Sequence, residues 1–214
     1  MTREADMARP LSPPPAGRAS LQQGASLIVV LILLIVVSLL GVGSIQIATM
    51  GERSARNDRD QQIAWQAAEA ALMDAELDMD PNGMGLGSRR SSFAPITDAS
   101  AFVLNCGSSS TNRGLCAENP SGKPAWLVVD FLSTSSPKTA GWGDFTGRNN
   151  PTPYPTGGGL KSFQAPRYVI EAIKDPAEVQ TKGIVESRYV YRVTAMGFGP
   201  RQDIQAVMQM IYRD

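Results

Sequence analysis

Between Arg18 and Glu52 the chain carries no charged residue, and over 25–43 it reads "ASLIVVLILLIVVSLLGVG". About twenty apolar residues are what a helix needs to cross a hydrocarbon core. This run therefore predicts one membrane span, placed at about 25–45. The segment ahead of it, "MTREADMARPLSPPPAGRASLQQG", holds Arg3, Arg9 and Arg18, and its proline cluster forbids a helix. Positive residues favour the cytoplasmic side, so the expected orientation is N-terminus in and the bulk of the chain out. The run is longer than the ~7–15-residue apolar core of a general secretory signal, and no small-x-small cleavage site stands at its end.

No proline occurs between Pro15 and Pro81, and "IQIATMGERSARNDRDQQIAWQAAEAALMDAELDMD" is rich in good helix formers. The helix is expected to run on from the membrane, about 80 Å over 25–79 at ~1.5 Å rise per residue. In its outer half Ile63, Ala67, Ala70, Ala71 and Asp74 follow one side, with Ala64, Ala68, Leu72, Ala75 and Leu77 beside them. That small apolar face is fit to dock on a body. Arg53, Arg56 and Arg59 precede an acidic stretch, Glu69, Asp74, Glu76, Asp78 and Asp80. These charges read either as a solvated face or as charge matching between packed subunits. Gly41, Gly43 and Gly51 each weaken the helix by about 1 kcal/mol relative to Ala, and Gly41–Gly43 mark where it would melt locally.

Beyond Pro81, short apolar runs alternate with Gly, Pro, Ser and Asn, the pattern of a β-rich body. Strands are expected at 125–133, 167–173, 187–198 and 203–213. In the last, Ile204, Ala206, Met208, Met210 and Tyr212 share one face, and "GFGPRQ" before it makes an antiparallel hairpin with its predecessor. A three- or four-stranded meander packed on the helix's apolar face buries both surfaces. The fold class is thus α+β. The long connection 133–163 contains Trp142, Phe145 and Tyr154, which serve either as anchors onto the body or as an exposed contact surface.

Composition narrows the chemistry. The 214 residues carry 20 basic and 20 acidic side chains, so no net field draws nucleic acid. The absence of His removes the commonest general acid/base and metal ligand. No nucleophile motif, phosphate loop or cofactor site is visible. "DMDPNG" sets Asp78, Asp80, Asn82 and Gly83 at the first, third, fifth and sixth positions of a calcium-loop pattern, but Arg89 stands where the bidentate Glu belongs. A helix-ending turn is the simpler reading, and no metal site is expected. Cys106 and Cys116 are the only cysteines. Facing an oxidising compartment, they are expected to form a disulfide around "GSSSTNRGL", stabilising by about 3 kcal/mol in the chain-entropy model.

Residues 23–80 resemble the N-terminal signature of type IV pilins and pseudopilins: a basic leader ending in Gly, an uncharged run, then an amphipathic stem. The wording of "QQGASLIVVLILLIVVSLLGVGSIQIATMGERSARNDRDQQIAWQAAEAALMDAE" is similar to the PilX family of minor pilins in its Glu-Arg, Asn-x-Arg-Asp and "AAEAAL" elements. The tail "YVYRVTAMGFGPRQDIQAVMQMIYR" and "GLC" ahead of a Trp-containing segment fit that family too. The resemblance implies that prepilin peptidase cuts between Gly24 and Ala25 on the cytoplasmic side and that Ala25 is N-methylated. Residues 1–24 are then a leader, 25–80 the pilin helix and 81–214 a periplasmic globular domain; a start at Met7 would shorten only the leader.

Most pilins carry Glu at the fifth residue after the cut, where this chain has Val29. In a bundle of apolar stems the charged N-terminus of one subunit needs a partner in a low-dielectric core, which the Glu of the next supplies. A subunit with nothing above it has no such amine to neutralise. The resemblance therefore implies a non-enzymatic minor pilin that helps prime pilus assembly and sits at or near the tip, a part of the machinery of twitching motility and cell adhesion. Its partners would be other minor pilins, the major pilin, the inner-membrane assembly platform and a tip adhesin. Two other readings are a K-type pseudopilin of type II secretion, which also lacks that Glu, and a single-span receptor or sensor that keeps residues 1–24. An enzyme anchored by the stem is a further one.

Overall fold

The computed structural model describes residues 23–80, 89–93, 97–135, 137–175 and 188–213, with side chains from Ser26 onward. The expected leader lies outside the described residues, as do Asn82 and Gly83 of the calcium-loop pattern. Helix α1 runs Gln23–Met79, unbroken through Gly41, Gly43 and Gly51. A Cβ added at any of these three glycines would meet nothing within 4 Å, so no packing contact requires them. The chain divides into two units at Glu52/Arg53, and α1 contributes to both.

In the second unit, Ala64, Ala67, Ala68, Ala71 and Ala75 are fully buried, with Asp74, Asp78 and Met79 continuing their line. This is the i, i+3, i+4, i+7 stripe expected from the sequence. Leu77, placed beside it on sequence grounds, lies off the stripe and is 40% exposed.

The sheet under this stripe is built from β1 (Leu115–Ala117), β2 (Ala140–Gly141), β3 (Arg167–Lys174), β4 (Tyr189–Phe198) and β5 (Gln205–Tyr212). Strands β3, β4 and β5 form the expected antiparallel meander. Strand β1 adds to β3 in parallel, and β2 pairs antiparallel with the start of β3. Ile204, just before β5, and Ala206 on it are buried while Val207 and Ile211 are exposed, so the two faces alternate as predicted. The helix-side core joins Ala71, Ala75 and Met79 to Leu115, Tyr168, Ile170, Tyr191 and Val193. Ala64 and Ala68 pack separately against Ile204 and Ala206.

Small residues let the two layers approach closely. A Cβ on Gly197 of β4 would lie 2.1 Å from the Ala64 carbonyl oxygen and 2.2 Å from the Ala68 nitrogen. Strand and helix backbones therefore touch at this point.

The region 125–133, read as a strand, is instead a short helix α2 (Ala125–Val128) followed by irregular chain. Both sides of β3 are already taken by β1, β2 and β4, so this segment lies over the sheet's other face. There Ala125 and Phe131 pack with Val169, Phe198 and the two cysteines. Pro124 opens the helical turn, and the Glu171 carboxylate accepts the Ala125 N–H at 2.8 Å.

Candidate functional site

From Leu27 to Met50 the large apolar side chains of α1 are exposed, Val29 at 55% among them. α1 is long and apolar enough to cross a membrane. Such a surface is stable only against lipid or other apolar helices. Gly24 and Ala25 lie in the first turn of α1.

In the second unit, two carboxylates from the inner stripe of α1 are buried and bonded, Asp74 to the long connection and Asp78 to Arg89 and Tyr168. Asp74, fully buried, accepts the Gly143 N–H at 2.7 Å and the Thr146 hydroxyl at 2.5 Å. Arg148 stands 4.0 Å away. Desolvation raises the Asp74 carboxyl above its ordinary value, opposed by these two hydrogen bonds. One turn on, buried Asp78 forms an ion pair with Arg89, whose backbone N–H it also accepts. Tyr168 donates to the same carboxylate at 3.1 Å. Burial, and then the charge of Asp78, push the Tyr168 phenol well above its ordinary value, so it remains a donor.

The Arg89 guanidinium lies 3.5 Å from the centroid of the Phe145 ring, and Arg113 approaches the same ring at 5.5 Å. Arg113 also pairs with Asp144 at 2.8 Å. Phe145 is therefore a buried anchor, as one sequence reading had it. Trp142 and Tyr154, half-buried, meet edge to face at 5.3 Å. On the far face, fully buried Glu171 receives Arg192 at 3.0 Å.

Cys106 and Cys116 form the expected disulfide, 10 residues apart in sequence, against the packing of Phe131 and Phe198. Asn105 and Cys106 both take positive φ, 58° and 62°, a conformation rare outside glycine.

Sequence reasoning placed Asp74 on the docking face and also counted it, with Asp78, among acids read as a solvated face or as charge matching between subunits. The missed signal was spacing: Asp74 and Asp78 fall four apart on the alanine stripe, where an acid is buried and needs a donor. The calcium reading loses its first ligand, because the Asp78 oxygens already serve Arg89 and Tyr168. Among the described residues no group of three or more His, Cys, Asp or Glu is arranged to hold a metal.

An exposed uncharged helical half, continued by a half whose alanine face seats on an antiparallel meander, defines a pilin-like subunit. Family models extend that assignment over the chain. "PilX N-terminal" matches residues 23–72, and "Type IV pilus assembly protein PilX C-term" matches residues 52–214. The chain belongs to the PilX family of type IV pilus assembly proteins. Neither curated proteins nor solved structures gave a match.

Proposed function

We propose that this protein is a minor pilin that helps prime type IV pilus assembly and occupies a place at or near the filament tip. Membership in a pilus assembly family supports the class. The observation that carries the finer reading is Val29, in an exposed apolar helix, at the fifth position after Gly24. A subunit without a carboxylate there offers nothing to the N-terminal amine of another, while its own amine can still pair with a Glu below. Such a subunit is suited to begin a filament.

In this reading the helix first spans the inner membrane, N-terminus in the cytoplasm and body in the periplasm. Prepilin peptidase removes residues 1–24 and Ala25 is N-methylated. The assembly platform then lifts the subunit together with other minor pilins, the major pilin joins below, and a tip adhesin is presented.

The test is the intact mass of the protein from membranes with and without prepilin peptidase. A chain beginning at N-methyl-Ala25, made only with the peptidase, is expected. An uncut chain in both would overturn the pilin reading in favour of a membrane-anchored receptor. Gold labelling of sheared pili is then expected at ends, and label along the shaft at major-pilin density would overturn the tip position.

A further inference from the structure

A cavity of about 440 Å³ opens beside the start of β3, walled by Trp142, Tyr154, Asn149, Gln164 and Arg167. Its construction follows from strand register. Gly141 of β2 lies opposite Arg167 of β3, and the Trp142 N–H donates to the Pro166 carbonyl, so Trp142 and Arg167 are held on one rim. Arg167 is only 8% exposed, yet among the described residues no carboxylate forms an ion pair with it. One guanidinium nitrogen donates to the Ser133 carbonyl at 2.8 Å, while Nε has no acceptor. The indole Nε1 of Trp142 is likewise enclosed without an acceptor. Desolvation lowers the Arg167 pKa, an effect that Asp144 and Asp130 partly oppose from a distance and Arg113 adds to. Asp144, also on the cavity wall, is already held by Arg113 and by the Gly141 N–H.

A buried cation without a counter-ion is costly, and Arg167 and Trp142 both line this cavity with an enclosed N–H that lacks an acceptor, so a shift of either side chain toward acceptor oxygens in the cavity is favoured. Aromatic rings beside amide side chains suit a sugar ring, whose C–H face packs on the rings while its hydroxyls meet Asn149 and Gln164. We propose that this cavity binds a sugar acid, its carboxylate on Arg167 and Trp142 and its ring against Trp142 and Tyr154. A turn of the guanidinium about its Cδ–Nε bond exchanges the Ser133 carbonyl for the carboxylate and presents the fork to it. The site stands on the body alone and is independent of where the subunit sits in a pilus.

The test is calorimetric titration of the full chain, in a polyoxyethylene detergent free of sugar headgroups, with D-glucuronate, methyl glucoside and acetate. Saturable glucuronate binding is expected, with both controls at least tenfold weaker. Arg167→Met should weaken glucuronate binding by roughly tenfold to a hundredfold, the worth of a charge-assisted hydrogen bond. It should not lower the melting temperature, because it removes an unpaired buried charge. Trp142→Phe should weaken binding several-fold, and it carries the test if Arg167→Met does not fold. No saturation up to about 10 mM glucuronate, an affinity unchanged by either substitution, or methyl glucoside or acetate binding as tightly as glucuronate would each overturn the proposal.

Discussion

Gly197 stands where helix and sheet backbones meet, and its hydrogen cannot be replaced without moving one of them. Gly197→Ala should cost about 3 kcal/mol, the upper range for overpacking, read from the urea midpoint of the detergent-solubilised chain. A cost below about 0.5 kcal/mol would mean that the layers slide apart freely. Asp74 makes a second prediction at this scale. Its folded-state pKa is raised above 3.8, so the native state holds the proton more tightly than the unfolded chain. Its contribution is therefore fully present below 3.8 and is lost as pH rises through the folded value. Relative to Asp74→Asn, the wild type should gain stability on acidification toward pH 4, and parallel stability curves from pH 4 to 7 would contradict the assignment. The alanine stripe was legible in the sequence because its spacing is local. The role of Asp78 was not, because its partners Arg89 and Tyr168 are brought to it by the tertiary fold.

At the scale of elements, the disulfide closes a short loop against the outer face of the sheet. Replacing both cysteines by Ala should lower stability by about 3 kcal/mol, and chemical reduction of the wild type should lower it by a similar amount. Denaturant curves with and without reductant check this; coincidence of the oxidised wild type with the double variant would show that the loop is held by other contacts. The disulfide was legible from two cysteines and the orientation expected from the arginines ahead of the apolar run. Strands β3 to β5 were legible too, because alternation over eight or more residues is a strong local signal. Segment 125–133 misled because its hydrophobic residues suit a sheet edge, yet β3 had no free side to offer it. Strand β1 is too short to show a period, and it exists because β3 lies alongside.

For the molecule as a whole, the three buried clusters draw only on residues from Ala64 onward. Residues 53–214 should therefore fold without the apolar half of α1. A fragment of that span is expected to be soluble without detergent, to keep the disulfide and to show a cooperative melt. An aggregated or molten fragment would mean that residues before 53 take part in the fold. The α+β class and the division between an apolar helical segment and a β-rich body were readable from where the apolar run, the proline-free helix formers and the alternating segments fall along the chain. The clamping of the 141–148 loop by buried Asp74 was not, since it depends on contacts roughly seventy residues apart. The Ala64–Ala68 part of the α1 stripe is covered by Gly197 of β4 and by Ile204 and Ala206 at β5, the last strands among the described residues. During translation the helix emerges long before its cover exists. That part of its alanine face must wait until almost the whole polypeptide has left the ribosome, so a chain stopped before about residue 200 leaves it bare and becomes a substrate for proteases.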